Sequence, residues 1–101
     1  MSRHLNHSTN HYAKLAHTIV GGHTLLLTIY LRYILVDEST LSCLLYFLVS
    51  SLGVKSEWFI ETAEILIKAG AEIVINTYQL LYKYEHYDIL NWMLALKIIR
   101  G

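Results

Sequence analysis

The chain has 101 residues, 54% of them hydrophobic, and its eight basic residues balance eight acidic ones. That length allows one domain at most, with enough apolar side chains to build a core without disulfides or metal. A neutral chain with no basic block lacks the electrostatic footprint of a nucleic-acid binder, and the lack of proline with sparse glycine excludes collagen-like and disordered compositions.

Residues 1–10 form a polar N-terminal segment in which Thr9 or Asn10 is suited to cap a first helix. From His11 to Val36 the apolar residues are too dense for a clean stripe, which predicts one long helix that is buried on most sides or has a partner. No secretory leader is visible in the His-rich start. The 18 residues from Ile19 to Val36 have the length of a membrane span, although His23, Arg32 and the Gly21-Gly22 pair count against one. Paired with the apolar run Leu41 to Val54, they define an alternative in which the chain is a small membrane-embedded helical subunit of a larger complex.

Asp37 to Thr40 interrupt the apolar run, and Ser39 or Thr40 is placed to cap a second helix from Leu41 to Leu52 that Gly53 ends. The single Cys43 lies inside this run, where a small buried hydrophobe is expected, and a chain with one cysteine fits the cytoplasm or another reducing compartment. Ser56 is the expected cap of a third helix. On it Glu57, Glu61, Glu64 and Lys68 share a solvated stripe, with Glu64 and Lys68 at ion-pair spacing. Gly70 stands where a left-handed cap is wanted. Glu72 to Ile75 is rich in β-branched residues, but without a second matching run it reads as extended linker or helix start rather than sheet. Asn76 or Thr77 caps a helix through Tyr84, and Asp88 caps a last helix from Ile89 to Ile99. The expectation is an all-α chain, one helical domain over 1–101, with about five helices as antiparallel hairpins.

Three constellations bear on chemistry. His4, His7 and His11 follow i, i+3, i+7 spacing, so on one helix the three imidazoles share a face, and a His-ligated metal or haem protein is a second alternative. No Glu stands beside His7 as in a zinc-protease motif, and the leading expectation is no metal and no cofactor. Nucleophilic catalysis finds no local base beside Cys43, no nucleophile elbow and no phosphate loop, so no enzyme is expected. Tyr78, Tyr82, Tyr84 and Tyr87 crowd the segment before the last helix, and Trp92, Met93 and Leu96 follow on it. Tyrosine and tryptophan are enriched where proteins bind one another, and a terminal helix apolar all round marks association.

The residues 61–96 carry a resemblance. "AEILIKAGAEI" (Ala63 to Ile73) and "YKYEHYDILNWML" (Tyr82 to Leu94) resemble the end of one ankyrin repeat and the helix–turn–helix of the next, and Gly22, Thr24 and Leu26 are similar to a further start. His86, Asp88, Ile89, Leu90, Met93 and Leu94 match the turn and second helix; Glu85 replaces the glycine that precedes the histidine, and Lys97 stands where a second capping glycine belongs. The resemblance implies helical hairpins in the C-terminal part and a binding role. The expected function is a protein–protein interaction or assembly module that binds a protein partner or its own copies, with membrane association as the alternative.

Overall fold

In the computed structural model the backbone is described for residues 3–100 and the side chains for His11 to Ile99. The elements are α1 (Arg3–Val20), α2 (Thr24–Tyr33), α3 (Glu38–Phe47) with a π-helical extension (Leu48–Leu52), α4 (Phe59–Ala69), α5 (Ile75–Lys83) and α6 (Tyr87–Arg100). No strand occurs among the described residues, and the 71–74 segment is an extended linker, as its lack of a partner run predicts.

Six helices stand where five were expected because the long apolar run is cut at Gly21-Gly22. Gly22 takes φ +72°, its N–H donates to the Ile19 carbonyl (3.0 Å), and the His23 N–H donates to the Thr18 carbonyl (3.1 Å). These two bonds satisfy carbonyls that a helix end leaves orphaned, and they reverse the chain so that α2 returns along α1. With ten residues, α2 is about 15 Å long, roughly half the hydrocarbon thickness of a bilayer. No described helix is long and apolar enough to cross a membrane. The Ile19–Val36 span is therefore replaced by a turn between two packed helices.

The helices pair as three hairpins, α1/α2, α3/α4 and α5/α6, and the hairpins stack in chain order. Helix α3 lies between α1 and α5 in one layer, and α4 lies between α2 and α6 in the other. The core runs through this stack: Leu15 and Ile19 of α1, Leu27 of α2, Leu44, Leu45 and Leu48 of the α3 rod, Phe59, Leu66 and Ile67 of α4, and Leu81 and Met93 of the last hairpin are all essentially buried. In its widened π turn the α3 rod buries Leu48 and Val49 and receives α5.

The turns of the first and last hairpins and the end of α4 reuse one backbone device. Glu85 N–H donates to the Tyr82 carbonyl (3.1 Å) and His86 N–H to the Leu81 carbonyl (2.8 Å), the pattern made by Gly22 and His23, and Glu85 has φ +59°. The same pair of bonds closes α4, from Gly70 to Ile67 (3.1 Å) and from Ala71 to Leu66 (3.0 Å). Gly70 thus holds its expected left-handed cap, at φ +124°.

The starts of the helices differ from the sequence reading. Asp37, ahead of Ser39 and Thr40, caps α3: its carboxylate accepts from the Thr40 N–H (3.2 Å) and the Thr40 hydroxyl (2.7 Å). Ser56 does not cap with its side chain; α4 starts at Phe59 behind Trp58. Helix α5 starts at Ile75 behind Val74, so Asn76 and Thr77 lie within its first turn, and Asp88 sits in the first turn of α6, where a carboxylate suits the helix dipole.

Side chains lock the hairpins together. The Trp58 indole N–H donates to the Ile19 carbonyl (3.1 Å), and its ring lies so close over Gly22 that a Cβ there would meet ring carbons at 2.9 to 3.0 Å. Ser42, buried on α3, accepts from the Glu72 N–H (2.8 Å) and fixes the linker before α5. Lys97 reaches back from α6: its Nζ donates to the Ala71 carbonyl (2.9 Å) and to Glu72 Oε2 (2.7 Å).

Candidate association surface

On the last hairpin the exposed apolar residues fall into register. Ile75, Gln79 and Tyr82 on α5 have i, i+4, i+7 spacing, and Tyr87, Asn91, Leu94 and Ile98 on α6 have i, i+4, i+7, i+11 spacing, each set forming a single stripe along its helix. Exposure follows the stripes: Ile75 is 67%, Tyr82 65%, Tyr87 49% and Ile98 79% exposed. The Tyr82 and Tyr87 rings meet edge to face across the turn, with centroids 5.3 Å apart, and join the two stripes into one surface. A shallow groove of about 510 Å³ runs along α5 between Ile75, Tyr78, Gln79, Tyr82 and Lys83, walled almost wholly by carbon.

The sequence-predicted residues divide between this surface and the core. Tyr82 and Tyr87 lie on it, half-buried Tyr78 lines its groove, and exposed Tyr84 stands at its edge with the Lys83 ammonium 5.4 Å from the ring centroid, a cation–π pair. Trp92 and Leu96 are half-buried against the core on another side of α6. Met93 is wholly buried and belongs to the core, because α6 turns that side toward α4 and α5. Ile75 and Ile98, two of the most exposed members, escaped the sequence reading. Ile75 closes the run that reads as extended linker or helix start, and it is the first residue of α5, at helical spacing to Tyr78 and Tyr82.

A second cleft, of about 540 Å³, opens between α1, α3 and the linker, with Tyr12, Glu38, Cys43, Tyr46 and Glu72 in its wall. Cys43 is exposed here, against the expectation of a buried thiol, because α3 buries Leu41, Ser42, Leu44 and Leu45 and turns position 43 away from the core. On α2 the exposed arc carries Leu25, Leu26, Ile29 and Tyr33, interrupted by Arg32.

The side chains of His4 and His7 lie outside the described residues. His11 spends its Nδ1 on a hydrogen bond with the Tyr30 hydroxyl, which ties α1 to α2. Among the described residues no three His, Cys, Asp or Glu side chains gather as a metal site. The α5/α6 surface has no acid–base pair either; Gln79 and Asn91 are the polar members of its stripes, so what it offers a ligand is apolar area with two amide anchors.

No known protein family, curated protein or solved structure matches this chain.

Proposed function

We propose that the chain is a non-catalytic protein-association module, an ankyrin-like stack of helical hairpins that binds another polypeptide through the α5/α6 face. One observation carries the reading: a continuous face without a charged residue in its stripes, bridged by Tyr82 and Tyr87, at one of the two open ends of the stack, whereas the α2 end is interrupted by Arg32. Its four most exposed apolar members offer about 500 Å² of surface, the size of the largest patch on an ordinary monomer, roughly 300 to 600 Å², which is often a functional one. The alternation of α1, α3 and α5 in one layer with α2, α4 and α6 in the other is what ankyrin-like arrays share, and the reuse of one turn pattern at Gly22 and Glu85 supports it.

The test is the native mass of the chain in extracts of cells that express it. A mass well above that of one chain is expected, falling to the monomer for Tyr82→Lys or Ile98→Lys and staying high for Leu26→Lys on α2. A mass that these α5/α6 substitutions leave unchanged refutes the reading.

A further inference from the structure

Within the molecule each covered hairpin face is covered by another hairpin: α3/α4 lies on α1/α2, and α5/α6 lies on α3/α4. The outward face of α5/α6 continues that series with the same materials, aliphatic and tyrosine side chains at heptad-like spacing on two antiparallel helices. A body that covers it in the same way is itself a helical hairpin, and the chain supplies two candidates, the hairpin at the opposite end of a second copy or the same α5/α6 hairpin of a second copy.

Charge separates the two. The first hairpin exposes Lys14 and His17 on α1 and Arg32 on α2. Placed against α5/α6, the Lys14 and Arg32 cations would meet stripes whose polar members, Gln79 and Asn91, offer no carboxylate, and a cation desolvated without a partner is costly. Two α5/α6 faces laid together keep charge out of the stripes themselves, with Lys83 at the wall of the groove beside them. Carbon meets carbon, Lys83 and Asp88 stay outside the stripes, and the amides of Gln79 and Asn91 can pair across the seam, each being donor and acceptor. A buried amide at such a seam also fixes its register.

The area agrees. The roughly 500 Å² from Ile75, Tyr82, Tyr87 and Ile98 is most of the roughly 800 Å² per partner of a standard interface, and Tyr78, Leu94 and the two amides supply more. A surface that binds its own copy closes on itself as a two-fold dimer and stops, unlike head-to-tail contacts, which run on as filaments.

We infer that two copies of this chain pair through their α5/α6 faces as a closed two-fold dimer, a four-helix contact that buries the Tyr82–Tyr87 pair. This rests on the association reading above and names the partner for the same face.

The experiment is sedimentation velocity of the purified full chain over about a thousand-fold range of concentration, with circular dichroism on every variant. A single monomer–dimer equilibrium is expected, with no larger species. Tyr82→Lys and Ile98→Lys, both at exposed positions and expected to keep the wild-type helical spectrum, each weaken dimerisation by at least about 30-fold. Leu26→Lys leaves it unchanged. Species that grow past the dimer, or a dimer that Leu26→Lys dissolves and Tyr82→Lys spares, overturn the inference. A purified chain that stays monomeric overturns it as well, yet spares the association reading if the mass in extract is still high and still lost with Tyr82→Lys. If that mass too ignores Tyr82→Lys, both fail.

Discussion

Replacing Glu85 with glycine should stabilise the protein. Glu85 holds φ +59° in an exposed turn whose hydrogen bonds repeat those around Gly22. A left-handed conformation costs an L-residue about 1 to 2 kcal/mol, because Cβ crowds the following carbonyl oxygen, and glycine is free of that cost. Against this, glycine loosens the unfolded chain, which returns about 0.4 to 1 kcal/mol. The net expectation is a gain of about 0.5 to 1 kcal/mol, which for a chain of this size raises Tm by about 4 °C. The counterpart, Gly22→Ala, meets both the same backbone cost and the Trp58 ring at 2.9 Å, so a loss of at least about 2 kcal/mol is expected. Thermal and urea unfolding followed by circular dichroism measure both. A Glu85→Gly chain that melts at or below the wild-type temperature, with an unchanged urea slope, refutes the argument that the two turns are the same device and that residue 85 sits in it under strain.

Two further substitutions probe the joints between hairpins. Lys97→Ala removes the ammonium that reaches the Ala71 carbonyl and Glu72, and a loss of about 1.5 kcal/mol in the urea midpoint analysis is expected, most of it from the charged hydrogen bond to a buried residue's carbonyl rather than from the partly exposed ion pair. Thr77→Val keeps the shape of a fully buried side chain whose hydroxyl finds no hydrogen-bond partner among the described residues, so it should gain about 1 kcal/mol; a lower melting temperature would reveal a bond that this hydroxyl makes.

Much of the fold was legible from glycine and polarity. Gly53 and Gly70 end helices as expected, and the Glu64–Lys68 pair forms at 2.9 Å on a solvated stripe. What the sequence concealed follows from local chemistry repeated on both sides of a break. Ile19 and Val20 precede Gly21-Gly22 and Leu25 to Leu27 follow it, so the apolar pattern runs straight across a reversal of the chain. Likewise Asp37, Ser39 and Thr40 are all good caps, and only the geometry that joins the Asp37 carboxylate to both groups of Thr40 selects one. The candidate surface was half legible. Tyrosine density marked the right hairpin, but α6 is apolar on nearly every side, so no helical wheel tells that Met93 faces in and Ile98 out; the neighbours α4 and α5 decide it.

The indole of Trp58, hydrogen-bonded to Ile19 and pressed on Gly22, sits at the seam between the first and second hairpins, and the only other tryptophan, Trp92, belongs to the third. Stability in such a stack is the sum of what each unit holds by itself and what each seam adds, as in a one-dimensional lattice with nearest-neighbour coupling. The outer units have one seam and the middle unit has two. Unfolding therefore frays inward from the ends, and Trp58 is a built-in reporter of the first seam: its emission shifts toward that of a wet indole when α1 and α2 peel away, while α3 and α4 are still standing.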